Sequence, residues 1–320
     1  MQCDLRQVAA ALIVAAAGCY HSEAGDVVAG GESRFADPAP EYGLIQYQLK
    51  SDTLRRYPEW GIGGFLAFFY EELYQQGVPG PRKIAPLVGD AAALHMPVWL
   101  ADDFGYPSGM AGGKVVEDHP EYEVRGLARH MASGRGEGAV TVELPKGAEK
   151  FVAAVIYPVS GGEVDLANGQ VRPVEDGVVR TEGLPGEWQL STFFRVIRSG
   201  QALSTAEQFK HTGRYPDIMN PAAVASFLSH MHEPIYEHVQ ESGTTVKGFY
   251  TNEPHLMQLP WKLEESPFAC APWNEDIPAK FREMHGYDLW PVMDAVFTGA
   301  DQTSRRTRIH FQQTVAELLR

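Results

Sequence analysis

Two acidic segments of the chain follow apolar runs that predict strands. Val246–Tyr250 has the composition of a short buried strand, and Asn252 and Glu253 follow it. Another apolar run ends on Asp102 and Asp103. Carboxyl groups at strand ends can serve as a general acid and its partner, and the Asn252 amide can bind a substrate hydroxyl. The simpler alternative is that each acid faces solvent at the end of its strand.

The loop from Asp102 to Gly113 has the composition of a binding loop. Its four glycines permit tight backbone turns and close approach of a ligand. The two acids that begin the loop can hold a sugar hydroxyl, a metal ion or a proton, or one of them can bond locally within the turn. The loop contains no Gly-Lys-Ser/Thr sequence, so it does not match a phosphate-binding loop.

Alternating strands and helices must position these segments. Apolar runs predict strands at Tyr42–Leu49, Ile62–Tyr70, Met96–Ala101 and Val246–Tyr250. Helical spacing and capping residues predict helices at Ser51–Trp60, at Lys83–His95, from Asn220-Pro221 onward, near Asp276–His285 and at Arg305–Leu319. This alternation predicts an α/β fold in which parallel strands are joined by right-handed crossovers.

The stretch from about residue 137 to residue 200 follows a different pattern. Turn residues such as Asn168-Gly169 separate short β-like runs. The runs are Ala139–Leu144, Phe151–Val159, Gln170–Val174 and Trp188–Ile197. They predict an antiparallel β domain inserted into the α/β fold.

Composition narrows the classes of partner. The chain has 320 residues, 44% of them hydrophobic, which is enough for a sizeable core. Its 27 basic and 41 acidic residues give a formal net charge of −14. This charge disfavours nucleic acid and anionic membrane surfaces, because both require cationic contacts. A neutral glycan is compatible with it.

The N-terminus is typical of an export signal. Val8–Ala17 is an apolar run too short to span a bilayer, and small residues follow it up to Cys19. This pattern resembles a bacterial lipoprotein site, in which Cys19 would carry lipid; the alternative is an ordinary signal peptide. Either alternative predicts an exported protein, periplasmic, attached to the outer membrane or secreted. Cys270 would then be the one remaining cysteine, so no disulfide framework is expected.

Several ordered motifs together resemble one enzyme family. They are Gly61–Gly64, Asp102–Gly113, His119–Tyr122, Arg125–Leu127, Met231–Glu233, Thr251–Pro254, Pro272-Trp273 and His285–Leu289. In this order they are similar to the α-L-rhamnosidase-like glycoside hydrolases, large exported bacterial enzymes built on a (β/α)8 barrel. The resemblance runs from about residue 42 to residue 320.

The resemblance implies a hydrolase that cleaves glycosidic bonds with paired carboxyl groups. Glu253 is the candidate general acid and Asp103 its partner. The candidate substrate-binding residues are Asp102, Asn252, Tyr106, Ser108, His232, Glu233 and Trp273. Tyr106 and Trp273, with Trp261, are candidate stacking walls or core residues, and His232 and Glu233 are candidate site residues or a buried structural pair. No cofactor is expected; the family resemblance allows calcium, but no calcium-binding loop is readable.

Departures from the family pattern keep an alternative open. Asp103 stands where the family has Glu, and Asn252 stands where Asp is usual. A side chain shorter by one methylene changes the separation of the two carboxyl groups, to which catalysis is sensitive. The alternative is therefore a carbohydrate-binding or catalytically degenerate homologue. A surface-anchored structural protein is a third hypothesis, but it leaves the strand-end acids unexplained.

The expected organisation combines these observations. It comprises a signal peptide at 1–19, a linker at 20–40, a first part of a (β/α)8 barrel at 41–119, an inserted β-rich domain at 120–212 and a continuation of the barrel at 213–320. Four parallel strands supply about four βα units, and a complete barrel needs eight. The sequence therefore predicts the front of a longer enzyme or a truncated gene product.

Overall fold

The computed structural model describes residues 44–48, 51–67, 88–102, 104, 107–197, 214–241, 246–256 and 270–320. The chain forms two compact units. The first comprises Met1–Ala101, Pro234–Tyr250 and Arg320, and the second comprises Asp102–Glu233 and Thr251–Leu319. Each unit therefore combines segments that are distant in sequence.

The first unit contains a parallel four-stranded sheet. Its strands are β1 (Leu44–Gln48), β2 (Ile62–Ala67), β3 (Val98–Ala101) and, eleventh along the chain, β11 (Val246–Tyr250). They pair in the order β1-β2-β3-β11, and every pair is parallel. The predicted parallel pairing is confirmed, and the strands follow one another in the sheet as they do in the chain.

The segment between β1 and β2 differs from the predicted α-helix. It forms two 3₁₀ helices, Ser51–Arg56 and Pro58–Trp60, and ends at Gly61 as expected. Pro58 is the physical reason, because proline has no N–H with which to continue an α-helix. The described part of helix α1 covers residues 88–93 and lies inside the helix predicted before β3.

The second unit is built around an antiparallel sheet of six strands. In sheet order they are β12, β4, β10, β6 and β7, with β8 pairing separately with β6. Their bounds are β4 Arg125–Arg135, β6 Ala148–Ser160, β7 Glu163–Val164, β8 Gln170–Arg172, β10 Glu187–Ile197 and β12 Cys270–Trp273. The strands β5 (Ala139–Thr141) and β9 (Val178–Arg180) form a separate antiparallel pair.

Among the helices of the second unit, the three long ones follow the sequence signals, and two short ones were not predicted. They are α2 (Lys114–Asp118), α3 (Pro221–Glu241, which continues into the first unit), α4 (Ile277–His285), α5 (Asp294–Phe297) and α6 (Gln302–Leu318). Asn220 begins α3 by accepting a hydrogen bond from the Ala222 N–H at 3.0 Å, and Asp301 begins α6 through the Ser304 N–H at 2.9 Å. No described helix is both long and apolar enough to span a membrane.

Both faces of the antiparallel sheet are buried. Phe193 packs in a core cluster with Phe281 of α4 and Phe311 of α6, so helices cover one face. Leu190 packs with Trp188 in a different cluster, which also contains residues of the β5–β9 pair. The side chains of a strand alternate between faces, and β10 accordingly supplies both clusters.

A buried carboxylate ties α5 to the sheet. Asp294 is completely buried, and its Oδ2 accepts hydrogen bonds from Gln189 Nε2 at 2.9 Å and Ser191 Oγ at 2.8 Å. Its Oδ1 lies 3.1 Å from Arg129 Nη1. A buried carboxylate needs such compensation, so the Arg129–Asp294 ion pair fixes the helix against β4 and β10.

Four strands were not predicted, namely β4, β7, β9 and β12. The prediction placed the first β run of this region at Ala139, but β4 begins at Arg125. The Pro272-Trp273 pair, interpreted as part of a loop, ends strand β12. Because β12 is an edge strand of the sheet, Pro272 is tolerated there without a hydrogen-bonding N–H.

Gly134 provides a test of packing on the sheet. It lies opposite Trp188, and a Cβ at Gly134 would lie 2.3 Å from Trp188 Cζ2. We expect Gly134→Ala to lower the free energy of unfolding by about 1–3 kcal/mol in chemical denaturation, because it overpacks the Trp188 site. Gly138→Ala is the control, since no atom lies within 4 Å of the position that its added methyl group would occupy, and equal losses in the two variants would contradict the argument.

Two stacked histidines join α4 to α6. The rings of His285 and His310 lie 4.0 Å apart and are tilted by 9°. The His285 Nε2–H donates to the His310 carbonyl at 3.0 Å, and the Tyr287 hydroxyl lies 3.0 Å from His310 Nδ1. Burial, followed by the charges of His285 and Arg306, lowers the pKa of His310 below its usual value.

The lowered pKa of His310 predicts a pH dependence of stability. Between the folded pKa and the unfolded value of about 6.5, the unfolded chain binds more protons, so stability falls as the pH falls through this window. We expect His310→Gln to lose less unfolding free energy than wild type between pH 7.5 and pH 5.5. Gln313→Ala is the control, because this exposed side chain of α6 does not titrate, and its curve should parallel wild type. Parallel curves for His310→Gln and wild type would refute the prediction.

Candidate functional site

The candidate site is organised around the buried carboxylate of Asp102, which directly follows β3. Asp102 is completely buried. Its Oδ1 accepts a hydrogen bond from Ser108 Oγ at 2.5 Å. Its Oδ2 accepts from His232 Nε2 at 2.7 Å and from Thr251 Oγ1 at 2.8 Å. Because a carboxylate only accepts, the His232 proton on this contact lies on Nε2. Three segments of the second unit are thus joined at one side chain.

Ser108 extends this network to the segment that follows β11. Its Oγ accepts from the Asn252 N–H at 2.7 Å, and its own N–H donates to the Asn252 carbonyl at 2.9 Å. The Ser108 side chain is completely buried, so it is shielded from solvent. Ser108 therefore pairs with both backbone groups of Asn252, which immediately precedes Glu253.

Tyr215 holds the same segment on the other side of Glu253. The buried Tyr215 hydroxyl donates to the Ser108 carbonyl at 2.6 Å and accepts from the His255 N–H at 3.0 Å. Burial raises the pKa of the Tyr215 phenol well above its ordinary value, so the hydroxyl keeps its proton at neutral pH. Tyr215 therefore acts as donor and acceptor at once.

Two glycines of the loop lie directly against aromatic side chains of the protein itself. Gly112 has a φ of 65°, and a Cβ there would lie 1.6 Å from the Phe104 ring. A Cβ on Gly109, whose φ is 127°, would meet the Tyr215 hydroxyl at 3.0 Å. In the described part of the loop, the close approach predicted for a ligand is made by Phe104 and Tyr215.

Glu253 is exposed and has an unusual backbone conformation. Its φ is 45°, in the left-handed region that non-glycine residues seldom occupy. Such a conformation costs about 1–3 kcal/mol and persists only where neighbouring contacts impose it. Here the contacts are those of Asn252 and His255, which flank Glu253. Glu253 is thereby held as an exposed residue on a fixed segment.

The helix residues His232 and Glu233 lie in different environments. His232 is 9% exposed, packs edge-on against Phe227 with ring centroids 5.2 Å apart and contacts Asp102. Glu233 is exposed. The two side chains are therefore not a buried structural pair, and His232 belongs to the network behind the site.

The structure brings together four of the predicted site residues, namely Asp102, Asn252, Ser108 and His232. Trp273 instead packs in the core, 1% exposed, with its ring 5.4 Å from that of Trp290. It therefore has no exposed face with which to form a stacking wall, and the core alternative holds for it. Asp103, Tyr106, Trp261 and Cys19 lie outside the described residues.

Tyr215 and Thr251 belong to the network, although sequence analysis assigned neither of them a role in the site. Thr251 is the first residue of the Thr251–Pro254 motif and directly precedes Asn252, so the motif could have identified it as a site residue. Tyr215 lies five residues before Asn220, the N-cap of α3, and belongs to none of the motifs identified in the sequence. Its role arises from contacts with residues about 40 and 107 positions away.

A cleft of about 500 Å³ lies elsewhere in the second unit, between β4, β10 and the segment 141–146. Its polar lining includes His130, Glu143 and Lys146. Glu143 is the one acid among the described lining residues. The described residues also contain no group of three or more His, Cys, Asp or Glu side chains arranged to hold a metal ion.

Comparison with known proteins gives a likeness of fold. No known family and no curated protein matches this chain in sequence. Among solved structures, its fold is similar to that of a rhamnosidase from Novosphingobium sp. PP1Y, with a TM-score of 0.50 and 13% sequence identity. The similarity covers 90% of this chain and 45% of that protein, so the chain spans less than half of the rhamnosidase. The likeness supports a distant rhamnosidase-like fold of mixed α/β type.

The Asp102 network predicts a large effect of a nearly isosteric substitution. In Asp102→Asn an amide N–H₂ replaces one oxygen and faces a donor. We expect the free energy of unfolding to fall by about 3 kcal/mol, measured by denaturant titration. Asp118→Asn is the matched control, because Asp118 is exposed and pairs with His230 at 3.2 Å; its expected change is below about 0.5 kcal/mol. A loss in Asp102→Asn as small as the control's would contradict the buried-carboxylate account.

Proposed function

We propose that this chain belongs to a glycoside hydrolase that cleaves α-L-rhamnosidic or related linkages in plant or microbial glycans. The observation that carries the proposal is the presentation of an exposed glutamate, Glu253, from a strained and doubly held segment at the end of a parallel strand. Rigidly placed carboxyl groups are what glycosidic hydrolysis requires.

The fold comparison supports the same class of enzyme. The rhamnosidase neighbour has a similar fold over 90% of this chain. The parallel strand order β1-β2-β3-β11 is also the order in which a (β/α)8 barrel begins. We propose that the chain supplies about the first four βα units of such a barrel, with residues 120–212 as an inserted β domain whose sheet is completed by β12 from further along the chain. Active sites of barrels lie at the carboxyl ends of their strands, where Glu253 follows β11.

In the proposed mechanism, Glu253 protonates the leaving glycosidic oxygen as general acid, and Asp103 is the partner carboxylate. Asn252 binds a sugar hydroxyl, and Tyr106 and Glu233 contribute further substrate contacts. Asp102, Ser108 and His232 support these groups from behind, because Asp102 and Ser108 are completely buried and His232 is nearly so. The substrate is a glycan, and no cofactor takes part; calcium remains allowed by the family resemblance.

The location of the protein is part of the proposal. The apolar N-terminal run and Cys19 support export with a lipid anchor, and an ordinary signal peptide would give a secreted protein. Export suits an enzyme whose substrate is an external glycan. Membrane contact would then be limited to the lipid on Cys19.

A carbohydrate-binding homologue without turnover is the second candidate. The burial of Asp102 favours it, since Asp103 is then the one acid of that pair available to act beside Glu253, and Asp103 is one methylene shorter than the residue usual in the family. Binding of rhamnosides by the full gene product without any hydrolysis would select this alternative.

Substituting Glu253 tests the proposed hydrolase. In the full gene product, we expect Glu253→Gln to lower kcat on a rhamnosyl disaccharide by about 10²–10⁴-fold, while binding of the disaccharide persists. The loss on a dinitrophenyl rhamnoside should be much smaller, because that leaving group departs without protonation. Steady-state kinetics on both substrates provide the measurement.

The control for this test is Glu283→Gln. Glu283 is an exposed residue of α4 that pairs with Lys280 at 2.9 Å, so its substitution should leave both rates unchanged. Equal losses on the two substrates in Glu253→Gln would show that Glu253 is not the general acid. Full activity in Glu253→Gln would remove Glu253 from the mechanism.

A further inference from the structure

The left-handed backbone of Glu253 needs an explanation in the residues around it. Its φ of 45° is unfavourable for a side chain with a Cβ, so an isolated loop would relax to another conformation. The proposed function requires the opposite, a carboxyl group held within about 1 Å of its working position. Contacts on both sides of Glu253 must therefore supply the free energy that keeps it in place.

Two hydrogen-bonded relays hold the flanking backbone. In the first, the Asn252 N–H donates to Ser108 Oγ, and the Ser108 hydroxyl donates to Asp102 at 2.5 Å. In the second, the His255 N–H donates to the Tyr215 hydroxyl, which donates to the Ser108 carbonyl at 2.6 Å. Both relays meet at Ser108, so the residues on the two sides of Glu253 are tied to the same point.

Burial makes these relays strong. Asp102, Ser108 and Tyr215 are each completely buried, so water does not compete for their hydrogen bonds. The first relay ends on a carboxylate, and hydrogen bonds to a charged acceptor are about twice as strong as those between neutral groups. Being buried, the three side chains do not reach a substrate, and any effect on catalysis must pass through the segment they hold.

We propose that Ser108 and Tyr215, backed by Asp102, are positioning residues that fix the direction of the Glu253 carboxyl group. This inference rests on the proposed role of Glu253 as general acid. It changes the predicted role of Ser108, from a residue that binds substrate to one that holds the backbone of the catalytic segment.

Amide exchange and kinetics together test the inference in the full gene product. We expect Ser108→Ala to speed hydrogen exchange at the Asn252 amide by about tenfold, and Tyr215→Phe to do the same at His255. In both variants kcat should fall by about 10- to 100-fold with KM nearly unchanged, since the carboxyl group is misdirected and not removed. Adding Ser108→Ala to Glu253→Gln should cause no further loss of kcat, because Ser108 acts through Glu253.

Two controls separate positioning from general loss of structure. Ser229→Ala removes an exposed hydroxyl of α3 and Tyr122→Phe removes a half-buried one, and both should leave exchange and kcat unchanged. Tyr215→Phe keeps the ring over Gly109, so it tests the hydroxyl even if Ser108→Ala folds poorly.

The inference would be overturned if wild type turns over substrate and neither Ser108→Ala nor Tyr215→Phe reduces kcat. Unchanged exchange at Asn252 and His255 would overturn it as well. If wild type lacks turnover, the proposed function fails and the positioning role fails with it, while exchange still shows whether the two relays hold the segment.

Discussion

The candidate site depends on compensating one buried negative charge. Asp102 has no exposed surface, and an ionised carboxylate in that position is tolerable only with several donors directed at it. Ser108, His232 and Thr251 supply them, each from a different segment of the chain. Satisfying the charge therefore also assembles the loop after β3, the helix α3 and the segment after β11.

The same physical solution recurs in the antiparallel sheet. Asp294 is buried beside Arg129, Gln189 and Ser191, and it joins α5 to β4 and β10. Glu149 offers a less buried version: burial alone would raise its pKa, but Arg125 and Arg195 outweigh that effect and lower it. In each case a carboxylate links elements that are far apart in sequence. Acidic residues in this chain thus hold together elements that are distant in sequence, in addition to being candidate catalytic residues.

These long-range connections explain which features could be predicted from sequence. The strand Val246–Tyr250 and the capped helices α3 and α6 carry local signals, and the structure contains them. Strand β4 lacks such signals, because its polar side chains Arg125 and Arg129 are neutralised by partners 24 and 165 residues away, Glu149 and Asp294. The site shows the same limit. Asp102 was identified as important from its place at a strand end, but its burial depends on donors up to 149 residues distant, which no local pattern reveals.

The strained segment bears on the choice between turnover and binding alone. A binding site tolerates small displacements of a carboxyl group, because water and side-chain rotation can restore a hydrogen bond to a sugar hydroxyl. Proton transfer to a glycosidic oxygen is less tolerant, since a displacement of about 1 Å can cost about 10²-fold in rate. Holding Glu253 in a left-handed conformation sacrifices stability, and such sacrifices cluster at sites where geometry matters for function. The backbone of Glu253 therefore supports the proposed role as a catalytic carboxyl group more than a role as a ligand contact.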